Sequence, residues 1–382
     1  MHANPFSAWE IEQRIARVRA ELERRKLDAA VFASPENVFY LTGLDHWGYF
    51  APHLLIVPSA GENVLVTRAM ERVSVEKQVA SARFRGHPDS ETAADMAARV
   101  LDEMKLAGKA IGLEFWTSGL SFGLAASLRE QVEARWSDVS GLVDHMRLVK
   151  SSEEQALMRR AASISDKAAE AAIAAIADGA RESDVAAACV AEMIRAGGHP
   201  PGFGPFIRPG HRLGEEHATW GDGCYKKGEP VFLELSGCVS RYHAPLGRLV
   251  HIGEIRDDDG HIATIVRQAF NAVVAAIRPG TTARSVYAAW QQVVDEAGLK
   301  HYRRHHCGYC VGIGQPPSWT GGNSVTGLRH DSDLEITTGM SFHILSWLMG
   351  SGKGDDFLSN TVLLTDKGPE VLTRLKTGPI VI

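Results

Sequence analysis

The chain has 382 residues and a formal net charge of −5. It is 45% hydrophobic and 23% charged, an ordinary globular composition with ample apolar material for a core. Lysines and arginines are scattered, so no nucleic-acid surface is expected, and the longest apolar runs fall well short of a membrane span.

Residues 9–26 place Ile11, Ile15, Val18 and Leu22 at helical spacing and end on Arg24-Arg25-Lys26, where cations suit the helix dipole. Residues 28–33 read as a buried strand. Residues 53–58 and 63–67 read as two strands joined by the hairpin connection Ser59-Ala60-Gly61-Glu62. A helix over 90–107, a strand over 110–114 and a helix near 119–132 make this half α/β. The pattern changes at Arg147-Leu148-Val149-Lys150, which predicts one domain over 1–148 and another over 149–382. Ser151 with Glu154 fits a capping box that opens an Ala-rich helix over 152–178. A second helix follows from 182 to about 197, then strands over 230–235 and 247–252. Helices over 261–278 and 282–297 flank Arg278-Pro279-Gly280-Thr281, and strands over 340–347 and 360–365 follow. The order helix, helix, strand, strand thus occurs twice, and the whole chain is α+β.

Five cysteines, an odd number in a long chain, argue against a disulfide framework. Met1 to Trp9 lacks a basic region followed by an apolar run, so no secretory signal is expected and a reducing cytoplasm is the expected compartment. Cys307-x-x-Cys310 beside His305 and His306 lacks a second such pair and has the wrong spacing for a zinc finger.

The stretch Arg147 to Glu154 with Met158-Arg159-Arg160-Ala161-Ala162 resembles the entry helix of the pita-bread family, which holds methionine aminopeptidase, prolidase and creatinase. Arg278-Pro279-Gly280 and the segment 365–373 are also family-like, and the resemblance spans roughly residues 9–375. It implies a creatinase-like N-terminal α/β domain and a pseudo-twofold pita-bread catalytic domain. The family's peptidases hold two divalent metals with two Asp, one His and two Glu. At the positions that match, this chain has Glu234, Pro245, Tyr309, Leu345 and Ser359. Proline and leucine offer no side-chain donor, and one carboxylate does not hold a bridged metal pair. No metal and no cofactor are therefore expected. Within the family the chain looks closest to the metal-free ectoine hydrolases, on Phe232 to Cys238, Arg241 to Arg248, Cys307 to Gly314, Pro316 to Trp319, Met340 to His343, His217 to Trp220 and Leu41 to Trp47. Thr320-Gly321-Gly322 departs from that pattern.

Glu234 lies inside an apolar strand, where a carboxylate is either paired or functional. The functional reading sets it against a cationic amidinium, as base for water or as nucleophile. The resemblance makes His217 the proton shuttle, suited by the ordinary imidazole pKa. Tyr242, His243, Tyr309 and His343 are candidate hydrogen-bonding groups for the substrate, with packing as the plain alternative. Trp319 and Trp47 are candidate walls for a flat cation, and Arg68 is a candidate partner for a substrate carboxylate. The expected substrate is a small cationic or zwitterionic cyclic amidine such as ectoine or hydroxyectoine. The resemblance also implies a homodimer in which the N-terminal domain of one subunit closes the site of the other. The same residues leave room for a creatinase-like amidinohydrolase, an Xaa-Pro peptidase-like protein and a non-catalytic binding homologue.

Overall fold

In the computed structural model, which describes residues 4–322 and 325–382, the chain divides into two units whose boundary falls between Arg147 and Leu148. Of the N-terminal stretch read for a signal, residues 1–3 lie outside the described residues.

In the first unit Ser7 caps helix α1 (Ala8–Arg24) by accepting from the Glu10 amide, and Ile11, Ile15, Val18 and Leu22 are buried as their spacing predicts. Arg14 is buried on the same face. It donates to Glu10 and the Tyr40 carbonyl and lies between the Phe6 and Tyr40 rings, which answers the cost of burying a cation. There follow β1 (Ala29–Phe32), α2 (Pro35–Thr42), β2 (Leu54–Pro58), β3 (Asn63–Arg68), α3 (Arg72–Gln78), β4 (Ala82–His87), α4 (Ala93–Glu103), β5 (Ala110–Leu113), α5 (Phe122–Gln131), β6 (Arg135–Asp138) and α6 (Leu142–Leu148). The strands form one sheet in the order β4-β3-β2-β1-β5-β6. Pairs β1/β2 and β2/β3 are antiparallel and the rest parallel.

The second unit opens on α7 (Ser152–Ala175), where Ser151 and Glu154 form the capping box with both bonds in place. Then come α8 (Glu182–Arg195), β7 (Phe206–Pro209), β8 (Pro230–Val239), β9 (Tyr242–His251), α9 (Asp257–Ala276), α10 (Ala283–Glu296), β10 (Gly308–Cys310), β11 (Ser341–Leu348), β12 (Asp356–Thr365), β13 (Gly368–Val371) and β14 (Ile380–Val381). The sheet runs β10-β11-β12-β9-β8-β7, with β13 on β12 and β14 on β9. Phe342, Ile344, Leu358 and Val362 turn one face toward α9 and α10. The alternate residues, among them Phe232, Trp347 and Phe357, turn to the other face.

Two local features set this frame. The Ala-rich face of α7 lets β8 approach closely: a Cβ on Gly237 would stand 2.5 Å from the Ala161 carbonyl oxygen. Strands β8 and β9 form a single long hairpin turned by Ser240 and Arg241, at φ 46° and 65°. The sequence pattern broke that hairpin into two shorter strands. The Cys189, Cys238, Cys307 and Cys310 thiols are buried, Cys224 is exposed, and none is in a disulfide. No described helix is long and apolar enough to cross a membrane.

Candidate active site

Strand register gathers the five positions that the sequence singled out. Glu234 pairs with Gly247, Gly247 with Ser359, and Ser359 with Leu345. Tyr309 pairs with His343, and Pro245 lies two residues from Gly247 on the same face. Leu233 and Leu235 point to the helices, so strand alternation turns Glu234 and Phe232 to the opposite face.

There a cavity of about 260 Å³ opens. Its walls are aromatic: Phe203, Phe206, Phe232, Tyr309, Trp319 and Trp347. Its charged and imidazole groups are Glu234, Arg208, Glu216, His217, Arg304, His305 and His306, beside the Ser318 and Thr320 hydroxyls. Glu234 is 9% exposed and its Oε1 has no hydrogen-bond partner. Burial pushes its carboxyl up to about 8, with Arg208 opposing and Glu216 adding to the rise. Burial also holds His306 down to about 3, aided by His305 and Arg304.

The opposite half of the sheet supplies a closed chain of hydrogen bonds. Trp319 Nε1 donates to the Tyr309 hydroxyl at 2.8 Å, which lies 2.8 Å from His343 Nδ1. His343 Nε2 lies 2.7 Å from Ser359 Oγ. One assignment suits every member: Tyr309 donates to Nδ1, and the imidazole donates from Nε2 to Ser359. Burial, then His306, keeps the His343 imidazole far below its ordinary pKa, and burial keeps the Tyr309 phenol well above its own. His343 Nε2 is 3.8 Å from Glu234 Oε1, too long for a hydrogen bond, and a neutral imidazole makes no ion pair there.

Four of the anticipated residues, Glu234, His217, Tyr309 and Trp319, line this cavity. His217 stands exposed beside the Phe203 and Phe206 rings, with centroids 6.3 and 5.8 Å away. The structure places the others outside the cavity lining. His343 is fully buried and bonded to Tyr309 and Ser359, so it braces the wall. Tyr242 donates instead to Glu154 of α7 at 2.7 Å, and His243 Nε2 accepts from the Gly202 amide at 2.8 Å. Both are fully buried and away from the cavity lining. Trp47 and Arg68 belong to the first unit. Trp47 is 55% exposed, and Arg68 already holds Asp89 through two bonds of 2.9 Å. Sequence reasoning missed Arg208, Glu216 and Arg304. The run Arg303-Arg304-His305-His306 was a visible signal for the last.

The donor set does not fit a bridged pair of divalent ions. One carboxylate, a neutral phenol and a serine hydroxyl stand where five strong ligands are needed, and Pro245 and Leu345 contribute no donor. Among the described residues no cluster of three or more His, Cys, Asp or Glu is arranged to hold a metal.

Comparison with known proteins agrees with this architecture. Residues 156–366 match the family described as Metallopeptidase family M24, and residues 14–149 match the Creatinase/Prolidase N-terminal domain. The Ectoine hydrolase of Halomonas elongata is 25% identical, covering 96% of this chain and 96% of its own. The Xaa-Pro dipeptidase of Pyrococcus horikoshii is 24% identical, covering 95% of this chain and 97% of its own. The solved Xaa-Pro dipeptidase from Bacillus anthracis superposes with a TM-score of 0.86 at 21% identity, covering 97% of this chain and 100% of that one.

Proposed function

Because the chain belongs to metallopeptidase family M24, we propose that it is a hydrolase that has exchanged metal chemistry for a single buried acid, and that it opens a C–N bond of a small cyclic amidine, ectoine or hydroxyectoine. The relatives alone do not choose between substrates, since an ectoine hydrolase and an Xaa-Pro dipeptidase match about equally. The observation that carries the reading is the donor set: Glu234 alone among the five family positions keeps a carboxylate, and its Oε1 is unpartnered.

An amidinium ring suits this cavity. Its charge would meet Glu234 and draw the acid to its ionised form. Its flat faces would meet aromatic walls. The cavity volume of about 260 Å³ falls just under the range of about 300–1,000 Å³ usual for drug-sized ligands and suits one small ring. A zwitterion also needs a cation, and Arg304, whose guanidinium lies 4.6 Å from the Trp347 ring centroid, takes the part first given to Arg68.

Glu234 acts as base, taking a proton from water as the oxygen adds to the amidine carbon. His217 delivers a proton to the leaving nitrogen, and the ring opens to an N-acetyl-diaminobutyrate. Attack by Glu234 itself is the other route and gives the same product after hydrolysis. The enzyme works in the cytoplasm as a homodimer, and Trp47 is the first unit's candidate for contact with a partner subunit; sedimentation of a monomer would remove that part.

The test is direct. Chelator-treated protein is given ectoine, hydroxyectoine, creatine and Xaa-Pro dipeptides, with and without manganese. Ring opening of ectoine without metal is expected. Xaa-Pro cleavage that dies with chelator and returns with manganese would overturn the reading, and turnover of creatine alone would move it to an amidinohydrolase.

A further inference from the structure

The loop that presents His217 is built of turns, with backbone bonds such as those from the Glu215 N–H to the Arg212 carbonyl and from the Ala218 N–H to the Glu215 carbonyl. Between the short turn Gly210–Arg212 and the isolated bridge at Cys224 it has no helix or strand. His217 itself sits at φ 59°, in the left-handed region that side chains disfavour.

Outside contacts also hold this loop, and Arg208 on β7 supplies three of them. Its Nε donates to the Arg212 carbonyl at 3.0 Å, its Nη2 to Leu213 at 3.2 Å and its Nη1 to Ala218 at 3.3 Å. These carbonyls flank His217 on both sides. The guanidinium carbon lies 3.9 Å from the Phe232 ring centroid, and the residue is 1% exposed. From α8, Glu182 accepts from the Gly221 amide at 2.6 Å and meets Arg212 at 3.4 Å, closing the other end. The strand register places Arg208 opposite Phe232 and Phe206 opposite Glu234, so Arg208 and Glu234 are diagonal neighbours on the cavity face.

We propose that Arg208 is a positioning residue shared by both reacting groups: its guanidinium holds the loop that presents His217 and sets a fixed positive charge beside Glu234. The inference rests on the hydrolase reading above. The planar fork spreads its donors over three nitrogens to reach three separate carbonyls, whereas a lysine ammonium keeps the charge and loses that spread. The two duties therefore separate by substitution. The charged and titratable groups facing Glu234 are Arg208 from β7, Glu216 from the His217 loop, Tyr309 from β10 and neutral His343 from β11. Arg208 is the one among them that opposes protonation of Glu234.

The experiment compares wild type, Arg208→Lys and Arg208→Gln in ectoine turnover across pH, with melting curves to confirm folding. Arg208→Lys is expected to lose about 10²-fold in kcat with little change in KM, because His217 is misplaced, while the pH at which kcat/KM rises stays put. Arg208→Gln is expected to lose kcat similarly and to move that rise to higher pH, because Glu234 then ionises less readily. Full kcat in folded Arg208→Lys overturns the loop role. An unmoved pH profile in folded Arg208→Gln overturns the charge role, and if that variant does not fold, a pH rise that moves in folded Arg208→Lys, where the charge is kept, overturns it instead. Wild-type protein that opens no cyclic amidine rejects the functional reading before any variant is made, and the inference with it.

Discussion

Strands β7–β9 and strands β10–β12 each follow a pair of helices, yet they bring opposite kinds of polar group to the shared cavity face. The first set carries Glu234, an acid with an oxygen that nothing satisfies, and Arg208, a buried cation. The second carries Tyr309, His343 and Ser359, linked with Trp319 from the segment after β10 in a neutral chain. A buried group with unused capacity is costly and awaits a ligand; a satisfied one braces its neighbours. On the proposed function, the pseudo-symmetric halves divide into a reactive side and a supporting side.

The sharpest way to break this contrast is Glu234→Gln. If the first half is the reactive one, hydrolysis should fall by about 10³-fold with the fold intact, measured by single-turnover assay on the best substrate. His217→Ala should cost about 10²-fold, in part recovered by added imidazole. Tyr309→Phe tests the other side. It leaves the Trp319 N–H without its acceptor and His343 Nδ1 without its partner, so chemical denaturation should show a loss of about 2 kcal/mol, with a smaller effect on rate than either change above. A Tyr309→Phe enzyme that is stable but inactive would erase the distinction.

A further contrast lies in stability against pH, where no catalysis is read. The Glu234 carboxyl is raised in the folded state to about 8 from 4.5. A group shifted this way stabilises the fold fully below its unfolded pKa, and the contribution is lost as pH rises through the folded value. The melting temperature should therefore decline between pH ~5 and ~8.5 more steeply in wild type than in Glu234→Gln, whose amide carries no charge to desolvate. Equal slopes would mean that Glu234 is better solvated than its burial implies.

Much of this frame was legible along the chain. The Ser151–Glu154 capping box, the buried stripe of α1 and the doubled order of helices and strands follow from local pattern. The β8–β9 hairpin was not, because Ser240 and Arg241 adopt positive φ without the Gly or Asn that usually marks such a turn. Pro245 and Arg248 also interrupt the apolar run of β9. The short β7, ending in proline, gave no alternation to read. Glu234, His217, Tyr309 and Trp319, singled out by the family resemblance, line one cavity. Arg208 escaped because its meaning lies in register, since only strand pairing brings it beside Glu234, and Glu216 escaped because it sits in a loop with no pattern to read. The Glu154 partner of Tyr242 and the Ser359 partner of His343 were hidden for the same reason as Arg208, since a polar residue on a strand reveals neither its face nor its partner.

The distribution of thiols has a practical consequence. Burial lifts Cys189 to about 12 and Cys310 to about 11, so their sulfurs stay protonated and shielded from alkylating agents. Cys238 and Cys307 are buried as well, whereas Cys224 is open to solvent just beyond the segment that carries His217. A maleimide dye or nitroxide should therefore attach at that single point without any cysteine being removed, and report when the segment stiffens around a bound ring.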